Sequence, residues 1–526
     1  MTSLRRPRIA RRALAAGLLA ALTLAGATHA APARVQAAHS AAGDPSTLSI
    51  GWAIETKTLD PVNNSQNPDI WVMVNIYDQL LRVGPDGKTI QPDLATSYDV
   101  AKSGTVFTFH LRKGVTFQDG TPFKASDVKF ALDRAVDKKQ NPTWSFTLTA
   151  VKTVEAPDSS TVRITLKHPW GPFLSDIALF DTGVYPEAYF KKVGEKGLSA
   201  RPIGTGPYAL DQWKRGQYLR LKKNTRYFNA SAFPMSKVEY DLIPSDNTRL
   251  LKVEAGELDV DNVLPYNQIT QVAHSNSAAV VIDTSTQTNY LTFNTAVAPF
   301  NDVNVRQAIN HSIDRAALVK AVLYGHGTPA NSFIPAGALF HDSGIPVPSY
   351  DPSLAKKLLA KSGHPHGFTM TQEVSAGSSV DLETAVILKQ EVAPLGIKIN
   401  IKQMDPTTLF NDQQVGKYHF TGNLWTNDIP DPDELTSFAI DYTQGAKAFY
   451  TNYNNPQLNN LSHQAEQTND SATRQRLYYQ IQQLWAQNAS FVALYYAPFV
   501  NAVNSKVRGF HENPLGYFNL QGVHKS

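Results

Sequence analysis

The sequence predicts an α/β protein of two lobes, each organised around its own sheet. Three observations carry that class. A chain of 526 residues, 42% apolar and 10% aromatic, has globular composition and is long enough for two or three domains. Its first part carries short runs with the period of half-buried strands. From about residue 300 the pattern changes to strands alternating with segments whose apolar residues recur at helical spacing.

The elements follow in order. "TLSIGWAIETKTLDP" (47–61) reads as a strand ending in a proline turn. Phe107, Phe109 and Leu111 alternate with Thr108 and His110, the period of a strand with one buried face. Asp119-Gly120 marks a tight turn, and "SDVKFALDRAV" (126–136) places Val128, Ala131, Leu132 and Ala135 on one helical face. "TVRITLKH" (161–168) is a further strand. Downstream, Asn301 or Asp302 can cap a single helix with Val305, Ala308, Ile309, Ser312, Ala316, Val319 and Leu323 on one face, stopping near Gly325. Asp351 before Pro352 is an N-cap followed by the favoured first-turn proline, with Gly363 past the end. "FTMTQEV", "DLETAVILKQEVAP" and "IKINIKQ" form a βαβ unit at 368–403. A helix over about 471–488 and the apolar strand "FVALYYA" (491–497) follow, and that strand is expected to return to the first lobe.

Residues 1–38 read as a secretory leader. Five arginines precede the uncharged run Ala13–Ala27, which is too short to span a bilayer, and small-residue cleavage sites end at Ala30 or Ala37. Arg11-Arg12 weakly suggests twin-arginine export, but the ordinary Sec route is favoured. The whole chain has a formal charge of +4. Removing the six arginines of residues 1–37 from its 49 bases leaves 43 against 45 acids, or −2. That balance gives no support to nucleic-acid or anionic-membrane binding. Cysteine is absent, so the cores must stand without disulfides. Leu24-Ala25-Gly26-Ala27 resembles a lipoprotein signal with alanine in place of the anchoring cysteine. The expectation is a soluble protein secreted across the inner membrane into a periplasm, without a lipid anchor.

Catalytic and cofactor motifs are missing. There is no G-x-S-x-G, H-E-x-x-H, Walker A or cysteine metal pattern. "GTGPYA" (204–209) matches the dinucleotide signature only formally, since Pro207 interrupts it and a strand-like run follows instead of a helix. His364-Pro365-His366 reads as a surface loop rather than a metal clip. Asp314 and Arg315 read as a helix-surface ion pair. No catalytic residue, cofactor or metal is expected.

Several blocks together resemble the family-5 extracellular solute-binding proteins, the peptide, nickel and opine receptors of ABC importers. They are "YDQLLRVGPDGKTIQPDLATSYDV", "FTFHLRKGVTFQDGTPFKASDVKFALDRA", "IGTGPYAL", "NYLTFNTAVAPFNDVNVRQAINHSIDRAALVKAVLYGHGTPANSFIP", "YDPSLAKKLLAKSGH", "LGIKINI" and "LYYQIQQLWAQNASFVALYYAPFVNAVNSKVRGF". They stand in the family's order and span nearly all of the chain after the leader. The resemblance implies a bilobal periplasmic-binding-protein fold (type II, cluster C) with an extra domain inserted in the first lobe. It divides the chain into first-lobe segments at 45–80, 196–286 and 494–526, the inserted domain at 81–195 and the second lobe at 287–493. It also implies a monomer that encloses a di- or oligopeptide between lobes by hinge closure and docks on a membrane permease. The alternatives are a non-peptide ligand (nickel chelate, haem, opine or oligosaccharide) and, more remotely, a secreted hydrolase.

The resemblance also points to a site in "LWTNDIPDPDEL" (424–435), an acidic loop kept irregular by Pro430 and Pro432 after a buried-looking Leu-Trp pair. In peptide-binding members a Trp-x-x-Asp pattern supplies the acid that meets the ligand's α-ammonium. Here that pattern is Trp425, Thr426, Asn427 and Asp428. A carboxylate meets an ammonium with a short charge-assisted hydrogen bond, strengthened when lobe closure expels water. Asp431, Asp433 and Glu434 are expected in turn contacts and in the cap of a helix beginning near Glu434. On the opposite wall, Ser65, Gln66 and Asn67 have the spacing of a strand that pairs with the peptide backbone in relatives. No arginine stands close before Trp425, where some oligopeptide-binding members carry one, so the group that meets the ligand's carboxylate is not placed.

Overall fold

The computed structural model describes residues 44–64, 66–140, 142–444, 446–447 and 450–526. The expected leader and Ser65 therefore lie outside the described residues. In the first lobe Leu48, Ile50 and Trp52 are buried along the strand Thr47–Trp52. That strand lies central in a seven-stranded sheet, parallel to Lys237–Leu242 on one side and to Val260–Asp261 on the other. Tyr218–Lys223 and Tyr208–Lys214 extend one edge, and Phe499–Asn504 and Ala278–Asp283 the other, all by antiparallel pairing.

"GTGPYA" serves this sheet. The strand Tyr208–Lys214 begins inside it, and Gly204 and Gly206 pass so close to residue 76 that a Cβ would meet the Ile76 carbonyl oxygen at 2.1 and 2.7 Å. The glycines are there for close backbone approach.

The inserted domain is a four-stranded antiparallel sheet, Ala95–Val100, Val106–Leu111, Thr161–Leu166 and Val151–Asp158, covered by the helix Ala125–Val136. The alternation at Phe107, Phe109 and Leu111 and the helical face at Val128, Ala131, Leu132 and Ala135 are buried as their periods require. Arg134 on that helix forks onto Asp60 of the first lobe with two bonds of 2.6 Å, a buried bidentate pair that ties the domain to its host.

The second lobe holds a six-stranded mixed sheet in the order Thr328–Pro329, Phe491–Tyr496, Thr288–Phe293, Phe420–Trp425, Thr369–Ser375, Lys398–Met404. The βαβ unit is present: Thr369–Ser375 and Lys398–Met404 run parallel around the helix Ser379–Val392. "FVALYYA" does not return to the first lobe. Phe491–Tyr496 pairs with Thr288–Phe293 in the second sheet, and Phe499–Asn504 makes the return. The chain thus crosses between lobes twice, at 284–287 and at 497–498. Ala497 N–H donates to Gln287 O at 3.3 Å, and the Ser285 hydroxyl donates to Ala497 O, so the crossings lie side by side.

The single helix expected after Asp302 is two, Val303–Ser312 and Arg315–Val322. Asp302 caps the first through Asn304 N–H (2.7 Å), and Asp314 caps the second through Ala317 N–H (2.9 Å). Asp314 and Arg315 form no surface pair. Arg315 is buried and donates to Ala493 O (2.9 Å) and Asn310 Oδ1 (2.5 Å). Among the described residues no helix is long and apolar enough to cross a membrane.

Candidate ligand site at the lobe seam

The site loop leaves the second sheet where Trp425 stands opposite Thr288, next to the crossing strands. Pro430 and Pro432 keep it out of helix until Asp433–Ala439 begins. Its backbone is held from three directions. Asn427 N–H donates to Thr286 Oγ1 in the crossing segment (3.0 Å). Tyr517 from the C-terminal segment donates its hydroxyl to Asp428 O (2.5 Å). Glu434, in the first turn of the helix, folds back so that Oε2 accepts from both Asp428 N–H (2.9 Å) and Ile429 N–H (3.1 Å).

Asp428 is therefore placed at the junction of both lobes and is only 7% exposed. Burial pushes its carboxyl up to about 7; a hydrogen bond with the Glu434 carboxyl opposes that rise and the charge of Asp181 adds to it. Glu434 is raised well above the carboxylate range, again by burial first and Asp428 second. Two carboxyls within hydrogen-bonding reach share a proton rather than ionise together. Asp181 lies in the 3₁₀ turn Phe180–Thr182, 2% exposed; neither of its oxygens makes a hydrogen bond of good geometry, and only its own N–H and that of Thr182 face them. Burial lifts it well above the usual range. Among the described residues no lysine or arginine forms an ion pair with Asp181, Asp428 or Glu434.

Aromatic rings line the seam. Trp425 packs on Phe438 with centroids 4.3 Å apart, and Phe438 reaches Phe146 of the inserted domain at 6.4 Å. Trp144 touches Phe146 (5.9 Å) and Phe180 (5.2 Å), and Phe180 meets Tyr517 at 6.4 Å. This chain of rings runs from one lobe to the other beside the acids.

The other acids of the loop make the expected turn contacts, Asp431 Oδ1 accepting from Asp433 N–H (3.0 Å) where the helix begins, and they do more besides. Asp431 takes Arg474 in a bidentate pair of 2.6 and 2.8 Å, with both side chains buried. Asp433 and Glu466 crowd the same arginine, and Asp176 of the inserted domain accepts from Trp170 Nε1 at 2.7 Å close by. Gly171 N–H donates to Glu466 O (2.7 Å), a direct bond between the inserted domain and the second lobe.

The opposite wall differs from expectation. Gln66 is extended but only caps the helix Asn67–Ile76, so Asn67 begins a helix rather than continuing a strand. Pro68 at the first turn and Asp69 behind it start that helix. Gln66 Oε1 is buried without a partner while Asn67 is exposed. Leu424 is 54% exposed, against the buried pair read from the sequence, whereas Trp425 is half-buried, with Thr426 beside Gly516 and Asn427 buried. Sequence reasoning missed Asp181, Tyr517 and Thr286. Its one usable signal was an acid in the apolar run "LFDTGV" (179–184). His364-Pro365-His366 stays a loop, and among the described residues no cluster of three or more metal-binding side chains occurs.

Comparison with known proteins agrees with this architecture. The model of the bacterial extracellular solute-binding proteins, family 5 (middle), matches residues 89–444. The glutathione-binding protein GsiB of Escherichia coli K12 is 30% identical over 474 residues, 88% of this chain and 91% of that protein. Among solved structures, the periplasmic binding protein DppA of Helicobacter pylori, in complex with the peptide STSA, superposes with a TM-score of 0.83 at 26% identity, covering 91% of this chain and 98% of that one. The binding protein AgaA of A. tumefaciens R10, in complex with agropinic acid, gives 0.81 at 28% identity, covering 91% and 99%. Two sheets joined by paired crossings, an inserted domain and a match over well more than half the length lead to one assignment: the chain belongs to the family-5 bacterial extracellular solute-binding proteins.

Proposed function

We propose that this protein is the substrate-binding component of an ABC importer, capturing a di- or oligopeptide between its lobes and presenting it to a membrane permease. The observation that carries the peptide reading is Asp428. It is buried at the seam, its backbone is pinned from both lobes, and its carboxyl faces other acids with no ion-paired cation among the described residues. A buried acid group without a counter-ion is costly, and a ligand ammonium would relieve that cost with a charge-assisted hydrogen bond. Trp425 and Phe438 supply an apolar wall for the residue that carries the ammonium. Relatives that bind glutathione and the peptide STSA support the ligand class. The leader expected over residues 1–38 supports export to the periplasm. Gln66 and its buried, unpartnered Oε1 remain candidates for peptide-backbone contact on the first-lobe side.

The test is a thermal-shift comparison. A mixture of free peptides raises the melting temperature, and the same mixture N-acetylated does not. Equal stabilisation by both removes Asp428 from the role. Native mass spectrometry of protein purified without denaturation then identifies whatever cargo is retained.

A further inference from the structure

We propose that the seam is built for a ligand with two neighbouring cationic centres: a short peptide whose first residue has a basic side chain, with its α-ammonium at Asp428 and its side-chain cation at Asp181. The inference rests on the peptide reading and narrows it.

Charge balance is the first argument. Three elements bring Asp181, Asp428 and Glu434 together: the turn Phe180–Thr182, the site loop and the helix Asp433–Ala439. Burial raises both the Asp428 and the Glu434 carboxyl and each opposes ionisation of the other, so a cation brought to the pair favours its ionised form. Asp181 stands outside the pair, and burial holds its carboxyl well above the usual range too, so it gives up its proton only beside a cation of its own. One ammonium at Asp428 leaves Asp181 without that partner.

The treatment of other buried acids is the second. Asp60, Asp261 and Asp431 each take an arginine, Asp69 takes the Lys57 N–H, and Asp176 takes Trp170 Nε1. Asp181 is as deeply buried, yet no side chain bonds either of its oxygens, and only its own N–H and that of Thr182 face them, without good geometry. The chain satisfies such groups internally elsewhere, and a buried carboxyl at a ligand seam that no side chain meets suits a donor that the ligand brings. The three acids are not arranged to hold a metal ion, and no other group of three or more ligating side chains among the described residues is. Asp176 also bears on Asp181 by like charge, so the neighbourhood has acid in excess.

The surroundings suit an organic cation on an aliphatic stem. Phe180 precedes Asp181 in the chain and packs edge-on against Trp144, with Tyr517 on its other side. Rings of this kind cover a methylene stem and favour a cation over their faces.

Isothermal titration calorimetry on the full mature protein with Lys-Ala and Met-Ala tests this, since the two side chains have similar length and differ in charge. Wild-type protein is expected to bind Lys-Ala about tenfold more tightly, the scale of one hydrogen bond to a charged group. In Asp181→Asn that ratio falls to within about threefold, and in Asp181→Glu it recovers. Met-Ala binding as tightly as Lys-Ala to the wild type overturns the inference and leaves the peptide reading standing. A ratio unchanged in Asp181→Asn also overturns it. No binding by either dipeptide or by the free-peptide mixture removes both readings. The wild-type comparison needs no variant, so misfolding of a substituted chain does not decide the outcome.

Discussion

Asn427 donates its backbone N–H to the Thr286 hydroxyl at 3.0 Å, and the same hydroxyl donates to Pro514 O at 3.0 Å. Thr286 lies in a crossing between the lobes, so one side chain joins the hinge, the site loop and the C-terminal segment. Thr286→Val keeps the shape and removes both bonds. It should weaken ligand binding by about 1 kcal/mol, the net value of an ordinary hydrogen bond, through a less stable closed state. Calorimetry reads the affinity, and small-angle scattering reads the fraction of open molecules.

Asp428→Asn should weaken binding of free-amino peptides by about 2 to 4 kcal/mol, as expected when one partner of a buried charged pair is removed. N-acetylated peptides should show no matching loss. A uniform loss across both sets would place Asp428 in loop structure alone.

Arg474 holds Asp431 bidentately and is the cation crowded by Asp433 and Glu466. Arg474→Met should destabilise the fold by about 3 to 5 kcal/mol, because it leaves buried carboxylates without a counter-ion. Adding Asp431→Leu should restore much of that loss. Urea denaturation of the two variants separates the charge effect from packing.

Stability of the ligand-free protein should fall between pH 5 and 8. Burial raises Asp428, Glu466 and Glu391 to about 7 and Glu512 to about 8. Each carboxyl binds its proton more tightly folded than unfolded, where ionisation occurs near 4. Their contribution is fullest below that value and is lost as pH rises through 7 to 8. Melting temperatures across the range check the sign. Glu512→Gln should flatten the slope, and a curve rising to pH 8 would mean these acids are paired in some other way.

Gly204→Ala should unfold the first lobe's edge rather than alter any ligand property. Its Cβ would meet the Ile76 carbonyl oxygen at 2.1 Å, and backbone there cannot yield as a flexible side chain would. The expected signature is a lower melting temperature with unchanged affinity in the folded fraction.

Much of the fold was legible because one face of each element is buried and the other wet. Ala125–Val136, Ser379–Val392 and the strand through Phe109 show that contrast in their spacing. Asn67–Ile76 was not legible, since it is buried on nearly all sides and its apolar run has no helical period. The break at Ile313 escaped because the apolar pattern continues across it, and only Asp314 marks the new cap. The lobe assignment of Phe491–Tyr496 depends on strand pairing that no local pattern encodes. In the proposed site, Asp428 is a candidate through its resemblance to a family motif. Asp181 carries no such signal, because its surroundings are rings from segments far apart in the sequence.

The paired crossings have a genetic consequence. Residues 288–496 form the second sheet without interruption, and the flanking residues Gln287 and Ala497 are hydrogen-bonded neighbours. The stretch is therefore a cassette with adjacent ends. It could be exchanged between relatives at those two junctions, carrying one wall of the pocket and leaving the other in place.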